Sequence, residues 1–134
     1  MRIVVDTNVL VSGLLNPPGA PGRIVDLIVT GDVSLHFDDR ILAEYHEVLR
    51  RGRFGFEAKD VDALTAVIDA TAIHVHGAPL AERLPDADDE PFLEGAIAGE
   101  ADALVTGNVR HFPARLAHGI RIVTPAAFVA ARRN

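Results

Sequence analysis

The sequence predicts an α/β fold in which a parallel sheet is packed between helices. Short apolar runs of strand length alternate with longer stretches of helical period, which is the pattern of that architecture. With 134 residues and 49% hydrophobic composition, the chain is long enough for one real core and short for two. No repeat, low-complexity tract or linker divides it, so residues 1–134 read as a single domain.

RIVV at 2–5 reads as a buried first strand. Val9 to Leu15 continue as a helix or turn, ended by the loop NPPGAPG, where Pro17, Pro18 and Pro21 oppose regular structure. Ile24, Val25, Leu27 and Ile28 make a helical face closed by Gly31 as C-cap. VSLHF at 33–37 is the second strand, followed by Asp38 and Asp39 as N-cap candidates. The next helix is the most legible: Ile41, Leu42, Tyr45, Val48 and Leu49 form one stripe, and Arg50 and Arg51 stand at its end, where the helix dipole favours cations. A turn in GRFGFE leads to a helix marked by Val61, Leu64, Val67 and Ile68, then to a strand in TAIHVH and a polar connection over 77–91. Pro91 suits a first helical turn ahead of the apolar face Phe92, Leu93, Ala96 and Ile97. ALVTGN is a strand running into a loop, and IRIVTP a last strand before a short terminal helix.

Composition narrows the chemistry. No apolar run approaches the roughly 18 residues of a membrane span, and Asp6 and Asn8 interrupt the only stretch resembling a signal segment. The expectation is a cytoplasmic protein without a membrane partner. The absence of cysteine removes disulfides and thiolate metal sites. A formal net charge of −6 repels polyphosphates in bulk, although Arg50, Arg51 and Arg53, then Arg110 and Arg115, then Arg132 and Arg133, form local basic spots.

The acids carry the functional signal. Asp6 interrupts MRIVVDTNVLVSG between two apolar stretches, where an unpaired charge costs several kcal/mol. In open parallel sheets sites form beyond the carboxyl ends of the strands, and both Asp6 and Asn108 occupy such positions. The alternative role for Asp6 is to cap the helix after it. In ILAEYHEVLRR, 100° per residue sets Glu44 on the flank of the apolar stripe, able to lean into a cleft, and Glu47 nearly opposite, facing water. Without a site, Glu44 would be a boundary glutamate paired with Arg51. PDADDEPF gathers Asp86, Asp88, Asp89 and Glu90 before a helix, more acids than one cap uses, and a bound cation would relieve their repulsion. Asp89, three and four residues ahead of Phe92 and Leu93, is the choice over the buried end of that helix.

Carboxylates from distant positions, with no orderly histidine set, point to Mg²⁺ or Mn²⁺ rather than zinc. His74 and His76 read as packing or surface residues, and His111 lies nearer the proposed edge. A hard cation so held activates water and neutralises a phosphoryl group, which makes phosphodiester hydrolysis the natural reaction. Asp6 would then be offset by metal, with Thr7 and Asn8 orienting its oxygens.

With these residues in place, the sequence resembles the PIN-domain ribonucleases, in particular the VapC-like toxins of bacterial toxin–antitoxin systems. The likeness spans IVVDTNVLVSG, ILAEYHEVL, DADDEPFLEGAIAGEADALVTGN and IVTPAAFV. It implies a three-layer α/β/α sandwich with a parallel sheet of about five strands and an endoribonuclease dependent on Mg²⁺ or Mn²⁺. Asp6, Glu44 and Asp89 match the first three family acids, and Thr106 matches a position that orients the site. Where many members carry a fourth acid, this chain has Asn108, which offers an acceptor without charge and makes a weaker second metal site or single-ion catalysis the expectation. The family also implies an RNA substrate, a homodimer and a cognate antitoxin whose basic segment covers the acidic cleft. The alternative reading is a catalytically weak or silent domain of the same fold that binds RNA or a protein. A receiver domain would need a lysine after a late strand, whereas the sole lysine is Lys59, and a haloacid-dehalogenase-like phosphatase would need an aspartate where Asn8 stands.

Overall fold

The computed structural model describes residues 1–132. In chain order the elements are β1 (Arg2–Val5), α1 (Thr7–Leu15), α2 (Ala20–Thr30), β2 (Ser34–Phe37), α3 (Asp39–Leu49), α4 (Ala58–Thr71), β3 (Ile73–His74), α5 (Glu90–Ala98), β4 (Ala103–Val105), β5 (Arg121–Val123) and α6 (Pro125–Arg132). The strands form one parallel sheet in the order β3-β2-β1-β4-β5, with Ile3 opposite Leu35 on one side and Ala103 on the other. Helices flank the sheet, so the predicted α/β sandwich is the observed one. Ile3, Val4 and Val5 in β1 and Ala103, Leu104 and Val105 in β4 are fully buried, as strands covered on both faces must be.

Helix boundaries follow local chemistry. The Asp38 carboxylate accepts from the amides of Arg40 and Ile41 and caps α3, the role expected of it. Gly31 ends α2 at φ +81°, a conformation that favours glycine. Helix α1 begins at Thr7, directly after Asp6, and α2 begins at Ala20, so Pro21 and Gly22 lie inside its first turn rather than in the preceding loop. A proline is accommodated there because a first-turn amide has no intrahelical partner to lose. Gly22 is required by contact: a Cβ would stand 1.9 Å from the Pro17 carbonyl oxygen, where the chain turns from α1 into α2. The predicted strand TAIHVH shortens to Ile73–His74 at the sheet edge, where it pairs only with β2. His74 stacks on Phe37 and pairs with Asp39, a surface role.

The polar connection ahead of α5 is irregular but fastened. Arg40 bridges Asp38 and the buried Glu94 of α5, and Glu94 also accepts from the Leu80 amide. One turn earlier, buried Glu90 accepts from Arg83 and the Leu84 amide. These charge-assisted bonds satisfy two carboxylates that would otherwise be costly to bury. They fix the approach of the chain to the acidic run at 86–89.

One buried polar group is left over. His36 in β2 is 3% exposed and neither ring nitrogen has a hydrogen-bond partner. Burial pushes its pKa below the ordinary value, reinforced by Arg2. A depressed histidine binds its proton more readily when unfolded, so it adds stability at neutral pH that is lost as the pH falls below about 6.5. Replacing it by leucine should flatten that part of the stability profile between pH 7 and 5, read by urea denaturation against the wild type. Gly22→Ala should lower the unfolding midpoint by about 1–3 kcal/mol equivalent with an unchanged denaturant slope; a neutral effect would show that the α1–α2 turn relaxes freely.

Candidate active site

The order β3-β2-β1-β4-β5 reverses direction between β1 and β4, and the candidate residues stand at the carboxyl ends of those two strands. The Asp6 amide donates to the Val105 carbonyl at 2.9 Å, and the Thr106 amide to Val123 at 2.9 Å, so both residues continue the ladder past the last strand positions. Their side chains then meet: the Thr106 hydroxyl donates to Asp6 Oδ2 at 2.8 Å. Asp6 stands at the N-cap position of α1, yet its carboxylate makes no capping bond. Its side-chain partner is instead Thr106 beyond β4, with the Thr7 and Asn8 backbone amides adding weaker support.

Helix α3 supplies the second acid. Ile41, Tyr45 and Leu49 are buried, Glu44 is half-buried on their flank, and Glu47 is exposed. Arg51 pairs with Glu47 at 2.8 Å, which leaves Glu44 without that partner. Instead the Thr7 hydroxyl donates to Glu44. The adjoining Tyr45 hydroxyl donates to the Val5 carbonyl, tying α3 to the end of β1. Thr7 thus orients Glu44, and Thr106 is the hydroxyl partner of Asp6. Asn8 is exposed and faces a neighbouring groove beside Gly107.

The acidic run divides its labour. Asp86 caps the short turn Ala87–Asp89 through the Asp88 amide, and Glu90 is engaged by Arg83. Asp89 makes no capping bond; its Oδ2 lies 2.9 Å from His111 Nδ1, and it is 13% exposed. The sequence sets His111 near this edge without naming its partner. The signal was its position three residues after Asn108, on the 3₁₀ turn Val109–His111. Asn108 is exposed at the same rim, and its amide donates to the Thr106 hydroxyl oxygen at 3.0 Å.

All three acids are held above their ordinary carboxylate range. For Asp6 the largest cause is burial, opposed by the Thr106 hydroxyl and the backbone amides of Asn8 and Thr7, and increased by the charge of Asp89. For Glu44 it is again burial, opposed by Thr7 and increased by Asp6. Burial leads for Asp89 also, with His111 opposing and Asp86 adding. Asp89 therefore acts on Asp6, and Asp6 on Glu44, a chain of repulsion. No cationic side chain pairs with Asp6 or Glu44 among the described residues. Among those residues no three His, Asp or Glu side chains stand close enough to clasp one ion. The donor chemistry nonetheless suits a hard divalent cation, since carboxylate oxygens are what such ions take and repulsion between them is what an ion relieves.

A PIN domain family model matches residues 2–110, from β1 through β4 to the turn carrying Asn108. The chain belongs to the PIN-domain family. PIN domains are generally nucleases that use divalent metals, and the matched segment contains every acid described above. An uncharacterized protein of Methanocaldococcus jannaschii is 30% identical over 112 residues, which is 81% of this chain and 71% of that protein. Among solved structures, the crystal structure of VapBC2 from Rickettsia felis bound to a DNA fragment from their promoter superposes with a TM-score of 0.58 at 14% identity. It covers 92% of this chain and 98% of that one, so the two share the fold over most of their length.

A carboxylate held above its usual range is a stability cost at neutral pH. Asp6→Asn keeps an acceptor for Thr106 and removes the charge, so it should stabilise the PIN domain at pH 7 by about 1 kcal/mol. A raised carboxyl binds its proton more readily in the native state, so wild-type stability gains as the pH falls through the carboxylate range, and the advantage of the variant should shrink there. Thermal unfolding at pH 7 and pH 4.5 measures both; a variant less stable at pH 7 would contradict the cost.

Proposed function

We propose that this PIN domain is an endoribonuclease that hydrolyses RNA phosphodiester bonds with Mg²⁺ or Mn²⁺ held by Asp6, Glu44 and Asp89. One observation carries the reading: Asp6 is 7% exposed at the carboxyl end of a central strand, beside other acids and with no cationic partner among the described residues. Such a charge is tolerated where something absent from the chain completes it.

A divalent cation, when bound, stabilises charge on the phosphoryl group and favours attack by water. The chain's own groups do the positioning. The Thr106 hydroxyl fixes the rotamer of Asp6 while its oxygen takes the Asn108 amide, so one hydroxyl ties the acid to the loop beyond β4. Thr7 fixes Glu44 in the same manner. His111 holds Asp89 at the far side. Asn108 presents a carboxamide at the rim that can orient a water or a phosphate oxygen without adding charge.

The chain is further proposed as the toxin of a toxin–antitoxin pair, acting in the cytoplasm as a homodimer. A net charge of −6 suits a basic antitoxin segment laid over the acidic rim better than it suits naked RNA. The VapBC2 structure, by its description a complex on promoter DNA, supports that reading through shared fold. A second reading is favoured by Asn108: with a neutral group where a fourth acid is expected, the domain would bind RNA or a partner without turnover.

RNA cleavage by the purified protein should require Mn²⁺ or Mg²⁺ and cease with EDTA. Asp6→Asn, Glu44→Gln and Asp89→Asn should each reduce cleavage to background with unchanged circular dichroism, and Thr106→Val should cost about 10–100-fold. Mn²⁺ should raise the melting temperature of the wild type and not of Asp6→Asn. A protein that binds RNA, ignores Mn²⁺ and never cuts is the silent domain; cleavage that survives Asp6→Asn removes the assignment of the acids.

A further inference from the structure

Beside the acids a cavity of about 420 Å³ opens across the ends of β1, β4 and β5. Its polar side chains are Asn8, Ser12 and Thr124, and its walls include Val9, Pro21 and Pro125. None of its nine lining residues carries a charge, in a chain where 24% of residues do. We infer that this groove is a nucleobase subsite, receiving the base of the nucleotide whose phosphate lies at Asp6, Glu44 and Asp89. The inference rests on the nuclease reading and adds to it the part of the substrate that decides where the chain is cut.

Position ties the groove to the acids. Asn8 and Val9 lie two and three residues beyond Asp6 on the first turn of α1, and the Val9 amide donates to the Asp6 carbonyl at 2.9 Å. Gly107 lies directly after Thr106, whose hydroxyl holds Asp6. Thr124 follows β5 in the same manner. A ligand spanning both places needs a charged group and an uncharged ring within one nucleotide of each other.

The lining selects the ring. A phosphate would find no cation in the groove, and a basic side chain would find no carboxylate. Two prolines, a valine and small residues offer flat apolar walls, while a carboxamide and two hydroxyls offer donors and acceptors for a base edge. Thr124 Oγ1 accepts from the Ala127 amide at 3.1 Å, which leaves its hydroxyl proton able to rotate toward a base acceptor. Gly107 borders the groove between the two places, and a Cβ there would meet only Asn8 Oδ1, at 3.8 Å.

Two measurements test this separately from catalysis. The ¹⁵N-labelled wild type is titrated with each of the four 5′-mononucleotides, which contain no phosphodiester to cut, and with ribose 5-phosphate. Saturable shifts at Asn8, Val9, Gly107 and Ala126 with at least one nucleotide, absent with ribose 5-phosphate, are expected. Asn8→Ala should weaken that binding about fivefold, the size of one neutral hydrogen bond, and Ala126→Trp, which fills the groove, should abolish it. Equal shifts with ribose 5-phosphate, or none with any nucleotide, overturn the inference and leave the groove to a peptide partner. In the second arm, cleavage ends from a random-sequence RNA are sequenced. A base preference adjoining the cut that flattens in Ala126→Trp supports the subsite, and a profile unchanged in that variant overturns it. If the wild type cuts nothing while the mononucleotide shifts stand, the nuclease reading fails and the subsite survives.

Discussion

The bond between the Thr106 hydroxyl and the Asp6 carboxylate is the constraint on which the site depends. It joins the ends of two central strands at the place where the winding of the sheet reverses, and it sits where solvent reaches little. A buried carboxylate whose partners are one neutral hydroxyl and the backbone amides of Asn8 and Thr7, with no cation, is incompletely compensated, and its raised pKa expresses that deficit as a preference for the proton. Everything around it either holds the acid in place or adds to its discomfort. Tyr45 locks α3 against β1 and so holds Glu44 near, while its own hydroxyl is pushed well above the ordinary phenol range by burial and then by Asp6 and Glu44.

Acids elsewhere in the molecule make the contrast plain. Glu94 and Glu90 are as deeply buried as Asp6, yet each is paired with an arginine. Arg83 holds Glu90 below its ordinary range, the opposite direction from Asp6. The fold therefore supplies cations to acids that serve packing and withholds them from those at the strand ends. That selective omission, more than the number of acids, separates the candidate site from the rest of a negatively charged surface.

Much of this was legible in the residues. Strands β1, β2, β4 and β5 follow from apolar runs, and Glu44 and Glu47 are sorted to flank and solvent by helical period alone. The sequence could not say which hydroxyl serves which acid. Thr7 adjoins Asp6 in the chain but lies on the first turn of α1, which aims it at α3, while Thr106, 100 residues away, is brought in by strand pairing. The TAIHVH pattern overestimates β3 because ladder hydrogen bonds, not β-branched composition, set its length at an edge. The sequence sets His111 near the edge but not against Asp89, because that meeting is a tertiary contact between two short turns.

The pairing of β1 with β4 also governs when the molecule can assemble. Ile3 and Ala103 are neighbours in the sheet yet are separated by 100 of the 134 residues, so their contact closes a long loop and must be repaid by burial late in folding. During synthesis the first strand emerges long before its central neighbour. A nascent chain shorter than about 106 residues has Asp6 and Glu44 but no β4 to shape the rim, whatever its helices have already formed. The rim that carries Asp6 and Thr106 is therefore completed only when most of the chain is free to fold.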